Sequence, residues 1–514
     1  MIVRAGGRRD RAFVLVGVLV VVMLMSMIAL SLMFRMRSEE TAGATGSGAE
    51  QAWAAAMSGV REATRIAASL RPGEIDWQDA PERFRDRVLH DDGSEEWRWT
   101  VYSGDGEGGL RFGLSDESAK VNLNVATTSM VSRLPLMKPI LTDALLDFLD
   151  ADDVPRPEGA EQEYYDALAR PYRIHNGPLA TVEQLLLVRG FTPAVVFGED
   201  ANQNFTLDAN EDDADEKEPP DDQDGRLSQG LRPFITVHSR EANRDNSGAR
   251  RLNLNSAKAE LSETNGLPAA FVAFLTELRA SDSVVLHPAE LLDATVKIKD
   301  REGRERDIPT GVGRDALPMV LDRFTGSEEE EIQGLVNVNT ASATVLQAIP
   351  GIDGALAEMI VSTRRNLAAD RLASVAWLYT ENLVEAEKFR EIAPFLTTRS
   401  RQFSFHVVGY GAKSGRFRVV EAVIDCDGPS PKLLYLRELT RLGLPFPLVT
   451  SEEGTGTPES PPASPARSPQ GVRRASPRRR RSSTGGRNRG SLGIFPPEPA
   501  SGVGDTPRCM AESA

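Results

Sequence analysis

Cysteine and histidine are scarce in this 514-residue chain. The two cysteines, Cys426 and Cys509, cannot build a disulfide framework, and neither has the C-x-x-C partner that zinc or thiol exchange needs. The five histidines, His90, His175, His238, His287 and His406, lie far apart without H-E-x-x-H spacing, which excludes zinc hydrolases recognised by a local motif. No nucleophile elbow, P-loop or Gly-rich phosphate loop is present, so an enzyme is not expected. A basic surplus is missing too. The net charge is −15, although residues 1–12 hold 4 Arg against 1 Asp and residues 451–514 hold 10 Arg against 6 acids. That leaves residues 13–450 with 46 basic and 68 acidic side chains, a balance of −22. Such a body repels a phosphate backbone and suits cations, so neither nucleic acid nor a small-molecule substrate is expected. A chain of this length is expected to hold two to four domains.

Charge is absent from Ala12 to Phe34, AFVLVGVLVVVMLMSMIALSLMF. These 23 residues suffice for one membrane-spanning helix. Arg4, Arg8, Arg9 and Arg11 precede it, and only Arg35 and Arg37 follow closely. The positive-inside rule puts the amino terminus in the cytoplasm and the bulk outside. A cleaved secretory signal would have a shorter apolar region, roughly 7–15 residues. The basic leader, a small residue and then Phe at the head of a long apolar helix resemble a type IV prepilin. Ala12–Phe13 is then the processing junction for a prepilin peptidase, with Ala in place of the usual Gly. Prepilins carry Glu at the fifth mature position, where this chain has Gly17. That departure fits the tip subclass, in which no preceding subunit's amino terminus needs neutralising.

Residues 50–70 place Trp53, Met57, Val60, Ala63 and Ile66 on one helical face. They are expected to continue the membrane helix after a looser segment at Gly43, Gly46 and Gly48. Strand signals follow. Trp97, Trp99 and Val101 alternate with Arg98 and Thr100, and a Gly-rich turn (104–109) leads to a second strand at Leu110–Leu114. Near the other end Phe403, Phe405 and Val407 alternate with polar residues, followed by a turn (411–415) and strands at 416–425 and 432–439. Strands this short are unstable alone, so both regions are expected to join one antiparallel sheet packed on the amino-terminal helix.

The middle, 116–400, reads as mostly helical and repeats itself: VNLNVA at 121–126, LNLNSA at 252–257 and VNVNTA at 336–341. The first Asn of each pair (Asn122, Asn253, Asn337) is expected to tie down the entering loop. The second (Asn124, Asn255, Asn339) is expected to cap the helix that follows. After the third copy, Leu346 to Ile360 has a helix–hairpin–helix pattern, with Pro350-Gly351 in the turn and small Gly354 and Ala357 for close helix contact. The first two copies keep Pro135 and Pro268 but lose the glycine. Asp353 and Glu358 flank the turn and favour packing or protein contact over a DNA phosphate.

Residues 200–211, DANQNFTLDANE, set Asp200, Asn202, Asn204, Asp208 and Glu211 at positions 1, 3, 5, 9 and 12 of an EF-hand-type loop. Thr206 offers its carbonyl at position 7, and Leu207 fills the apolar position 8. Oxygen donors at this spacing suit a hard cation, and calcium is the expected cofactor. Phe205 stands where Gly normally makes the turn. The alternative is an acidic solvated loop, since the acidic run continues through 212–224. A second acidic cluster is Asp147, Asp150, Asp152, Asp153 and Glu158.

The prepilin-like start, GLSDESAKVNLN (113–124), DFLDADDVPRPEGAEQEYY (147–165), NGPLATVEQLLLVRGF (176–191), the hairpin at 336–352 and the closing strands together resemble, over about residues 8–440, the K-type minor pseudopilin of bacterial type II secretion. The resemblance implies an α+β fold: a membrane and pilin helix on a small antiparallel sheet, with a large helical domain inserted. The expected organisation is a leader (1–12), a transmembrane helix (13–34), a pilin-like helix and first strands (35–115), the inserted domain (116–400), closing strands (401–445) and a disordered Ser/Pro/Arg-rich tail (446–514). It also implies calcium binding and a non-enzymatic place at the tip of a periplasmic pseudopilus, bound to other minor pseudopilins. There the protein would prime assembly and help push folded exoproteins through the outer membrane. It would be a single-pass inner-membrane protein with a cytoplasmic amino terminus and a periplasmic bulk. The competing class is a membrane-anchored DNA receptor of competence type, which also uses a helix–hairpin–helix. Acidity, the two β ends and the hairpin's mid-chain position disfavour it.

Overall fold

The computed structural model describes residues 9–106, 108–213, 219–221, 223–256, 267–279, 284–299, 305–428 and 430–448. Most of the leader, most of the acidic run after 213, and the tail from 449 with Cys509 lie outside the described residues.

Helix α1 runs unbroken over Arg9–Ala68. The looser segment expected at the three glycines is therefore not there. A helical glycine costs only about 1 kcal/mol, and strong helix formers flank these on both sides. At 1.5 Å per residue α1 is about 90 Å long. Its stretch Leu15–Glu39 has a mean hydropathy of 2.8, is long and apolar enough to cross a membrane, and is nowhere buried in the protein. The carboxy-terminal part of α1 lies on a sheet, with Ala52, Ala55, Ala56 and Ala63 fully buried.

The sheet comprises β1 (Arg87–Asp91), β2 (Glu96–Gly104), β3 (Leu110–Arg111), β4 (Ser115–Asp116), β5 (Gln402–Gly411), β6 (Phe417–Asp425) and β7 (Lys432–Glu438). Its path is β1-β2-β5-β6-β7, with β3 on β2 and β4 on β5, and every pairing is antiparallel. The sheet thus joins strands from both ends of the soluble chain. The strand expected at Leu110–Leu114 is shortened to β3, and β4 begins just beyond it. Strand β1 was not foreseen: it is exposed on both faces, so it carries no alternation to read.

Alternation in β5 is buried on both sides. Phe403, Phe405 and Val407 face α1 together with Trp77, Trp99, Val101 and Val420. The Trp77 ring meets Phe403 edge-on at 5.0 Å and donates its N–H to the Glu74 carbonyl at 2.7 Å. Val408 and Tyr410 pack on the opposite face with Tyr102, Phe205 and Val419. At Gly409 a Cβ would lie 2.2 Å from the Ala56 nitrogen and 2.4 Å from the Ala52 carbonyl oxygen, so helix and strand backbones meet there.

The inserted region departs from the mostly helical expectation. Helices of 11 residues or fewer alternate with strands of two to five residues. Its three Asn-x-Asn copies share one construction. Val121–Asn122 pairs in parallel with Ile235–Thr236, Leu252–Asn253 with Phe324–Thr325, and Val336–Asn337 with Leu396–Thr397. In each copy the first Asn accepts from the amide two residues on, at 3.1, 2.8 and 3.0 Å, as expected of a loop tie. In each, the partner Thr hydroxyl also accepts from the amide two residues on, at 3.0, 3.1 and 3.1 Å.

In the first and third copies the second Asn does not cap the helix that follows; after Asn255, residues 257–266 lie outside the described residues. Asn124, Asn255 and Asn339 donate instead to the carbonyls of Leu179, Val285 and Leu372, at 2.9, 2.9 and 2.8 Å. They bridge to a distant segment inside the same copy, which satisfies buried backbone there. The caps are hydroxyls further on, Thr127 and Ser342, which reach the free amides of the first turn. One apolar cluster runs through all three copies.

Candidate cation site and domain junction

The loop 200–211 follows the short helix Pro193–Phe197. The Asp200 carboxylate accepts from the amides of Asn204 at 2.9 Å and Phe205 at 3.3 Å. Asn202 and Asn204 accept from the amides of Asn204 and Thr206 at 3.1 and 2.8 Å. Both Asn side chains donate to one Asp208 oxygen, at 2.6 and 2.9 Å. Glu211 accepts from the Asp208 amide at 3.0 Å. The sequence-chosen side chains are thus gathered; Thr206, expected to offer its carbonyl, donates its hydroxyl to the Pro445 carbonyl at 2.8 Å.

Phe205 has a φ of +62°, the left-handed conformation that glycine normally supplies at this position. A phenylalanine holds it at a cost of about 1 kcal/mol, offset by burial of its ring. Asp200 and Glu211 are nearly fully buried. Burial, with Asp200 and Asp208 nearby, pushes Glu211 up to about 7, and burial raises Asp200 against the pull of Arg232. The second Glu211 oxygen, Oε1, is buried without a partner. Three carboxylates and two side-chain amides are thus held on one short loop, with one acceptor unmet. This donor set fits a hard divalent cation.

The second acidic cluster assembles differently from the sequence reading. Ligand atoms of Asp150, Asp152 and Glu161 all lie within 4.8 Å of one another. Asp147 is committed to Arg156, as is one oxygen of Asp150, each at 2.6 Å. Asp153 and Glu158 are not members. Glu161 was missed because nothing in spacing ties it to Asp150; only the fold brings it close. Both its oxygens are buried without partners, and burial next to Asp147 and Asp150 pushes it up to about 7.

Where the insertion leaves the sheet, a polar hub holds the junction. Asp116 is 2% exposed and accepts from Asn337 at 2.9 Å, from the Thr340 and Ser400 hydroxyls at 2.6 Å each, and from the Ser118 amide at 2.9 Å. Burial outweighs these bonds and pushes it up to about 6. Beside it Glu117 accepts from the Thr236 hydroxyl, Ser404 and Lys120. Against burial, Lys120 and His238 hold Glu117 down to about 2.

The hairpin consists of α2 (Ala343–Ala348) and α3 (Gly354–Arg364), and is covered by α4 (Ala386–Ile392). Asp353 caps α3, accepting from the Leu356 amide at 2.8 Å. A Cβ at Gly351 would lie 2.7 Å from a Glu391 carboxylate oxygen. The hairpin turn is therefore filled by acids of the chain itself, an arrangement hostile to a phosphate. Ala12 and Phe13 lie within the first turns of α1.

Residues 115–197 match the family model of type II secretion system protein K, and residues 332–397 match a helix-hairpin-helix motif model. No curated protein matches the chain. Among solved structures, a chain in the crystal structure of the GspK-GspI-GspJ complex from the enterotoxigenic Escherichia coli type 2 secretion system aligns at 14% identity. That alignment covers 79% of this chain and 99% of that one, with a TM-score of 0.37. The family match over 115–197 lies in the first Asn-x-Asn copy and supports placing this chain with the K-type minor pseudopilins of type II secretion.

Proposed function

We propose that the chain is a minor pseudopilin at the tip of a periplasmic pseudopilus, matured by a prepilin peptidase at Ala12–Phe13 and held in the inner membrane by α1. The observation that carries this reading is the protein K match at 115–197, inserted into a sheet that packs on one long helix. The tip place rests on Gly17, which offers no carboxylate to a subunit ahead, and on an insertion too bulky for stacked neighbours. From that place the protein primes assembly with other minor pseudopilins and helps push folded exoproteins outward. Its role is structural rather than catalytic. The test is purification of the full-length protein with candidate minor pseudopilins of the same genome, with labelling of intact pseudopili. About one label per filament end is expected, with Phe13 as the mature first residue by mass spectrometry. Periodic label along the shaft would refute the tip assignment.

The same reading includes a calcium ion held by Asp200, Asn202, Asn204, Asp208 and Glu211, with the Thr206 carbonyl. The ion would neutralise three crowded carboxylates, a task now left to amide donors on Asp208. Binding to the folded form alone stabilises by RT ln(1 + [L]/Kd), about 2.7 kcal/mol at a hundredfold excess over Kd. Extracellular calcium modules bind at roughly 10⁻⁴–10⁻³ M, and the Phe205 turn argues for that range. Melting of the full-length protein in detergent is expected to shift upward with millimolar calcium over chelator. Asp200→Ala and Glu211→Ala should each remove most of the shift. An equal shift in the Asp200→Ala protein would reduce the segment to an acidic loop.

A further inference from the structure

The cation loop has two faces. Asp200, Asn202 and Asn204 turn towards Asp208 and the loop interior. The residues between them turn to the pilin-like sheet. Gln203, at φ +56°, accepts from Arg232 at 3.1 Å and from Arg437 of β7 at 3.5 Å. Arg232 is in turn paired with Glu421 of β6. Phe205, at φ +62°, sets its ring 4.8 Å from His406 of β5 and 6.2 Å from Tyr102 of β2, with the Arg232 guanidinium 5.7 Å away. Thr206 bonds Pro445, and Phe446 beside it packs edge-on against Tyr102 at 5.5 Å. The two left-handed residues of the loop are therefore the ones that grip the sheet.

Elsewhere the junction is held by the Asp116 hub, by Arg240 on Asp425 and by Arg437 on Glu183, but beside the loop it is incompletely filled. A cavity of about 150 Å³ lies next to Phe205, lined by Gln229, Arg232, His406 and Glu421. Gln229 Nε2, His406 Nε2 and Glu421 Oε2 are buried there without a protein partner. The space is large enough for ordered water and is lined by unmet polar atoms, so this contact is wet and polar. The loop therefore closes the part of the junction that is left polar and loosely filled.

We propose that residues 200–211 are a cation-set latch between the inserted domain and the sheet. The proposal rests on the cation reading above. Repulsion among Asp200, Asp208 and Glu211 favours an open loop. An ion at their centre fixes the left-handed turns at Gln203 and Phe205, and the same two torsions seat Gln203 and Phe205 on β2, β5 and β7. Ion binding and latch closure are then coupled, and by linkage each strengthens the other by one common factor. In the millimolar calcium of an extracytoplasmic space the loop and residues 440–448 are held on the sheet; with the ion removed that contact loosens, while the Asp116 hub keeps the inserted region attached.

Hydrogen exchange on the full-length protein in detergent, with millimolar calcium or chelator, tests this, with calcium binding measured separately by calorimetry. Calcium is expected to slow exchange about tenfold not only in 200–211 but also in 440–448, which offers no ligand. Phe205→Ala should still bind calcium, more weakly by that same factor, and exchange in 440–448 should become independent of the ion. Should that variant fail to fold, Thr206→Val removes only the hydroxyl bond to Pro445, and a partial loss of the remote protection is expected. Absence of calcium binding in the wild type overturns the cation reading and the latch with it. Calcium binding with protection confined to 200–211 overturns the latch alone.

Discussion

An Asp116→Ala protein is expected to lose on the order of 4 kcal/mol of stability, because four donors converge on that one carboxylate and would be left buried without an acceptor. The donors come from the third copy and from the segment that leads into β5 as well as from the local turn, so the loss is felt across the whole junction. Asp116→Asn should cost less, since an amide oxygen can still accept from Asn337, Thr340 and Ser400, while its nitrogen opposes the Ser118 amide. The two variants also differ with pH. The folded carboxyl sits at about 6, above the ordinary 3.8. Between those values the folded form holds a proton that the unfolded form has lost, so this group's contribution falls as pH rises from about 4 to 6. Asparagine mimics the protonated acid throughout. Denaturant unfolding at pH 4.5 and 7.5 should therefore show the Asn deficit shrinking at the higher pH. A deficit that grows with pH would mean that Asp116 is held ionised by its donors.

Gly409→Val should be nearly as damaging, at about 3 kcal/mol or more. The new Cβ would stand 2.2 Å from a main-chain nitrogen of α1, and a helix backbone cannot yield as a flexible side chain can. The helix has to lift. Trp99, 3.2 Å from where a Cβ at Gly59 would stand, is buried in this same contact. Its emission is expected to shift to the red in the variant, with a lowered melting temperature. Unchanged fluorescence and melting would show that α1 does not bear on the sheet at this point.

Much of the pilin-like part could be read from the sequence, since its strands alternate cleanly. Trp97, Trp99 and Val101, and Phe403, Phe405 and Val407, announced β2 and β5 because one face of each strand is uniformly apolar. The opposite face carries Tyr102, His406 and Tyr410, whose mixed chemistry hid how deeply that side is buried too. The repeats were visible as Asn-x-Asn, but the role of the second Asn was not. Asn124, Asn255 and Asn339 bond to segments 55, 30 and 33 residues away, a distance at which capping logic has nothing to say. The cation loop could be read residue by residue because all its donors come from one continuous stretch. Asp150, Asp152 and Glu161 could not, since Glu161 reaches the others through a turn set by Arg156. Phe205 looked like a defect in a loop motif; its second role depends on β5 and β2, which nothing near it in sequence foretells.

The pairing of β4 with β5 has a kinetic side. Ser115 lies opposite Ser404 and Asp116 opposite Phe403, so the chain departs from the sheet and rejoins it on the same rung. As the chain is synthesised, β2 is delivered long before β5, and its edge stays open to misplaced partners in the meantime. The intervening region contains three units, each closed by its own short parallel pair, and these can form without the sheet. Once folded, they bring residues 116 and 403 side by side and so replace a very long loop closure with a hairpin-sized one. By the same geometry a tight turn joining β4 directly to β5 would complete the sheet, which makes the whole insertion a cassette that could be exchanged between pilin-like scaffolds.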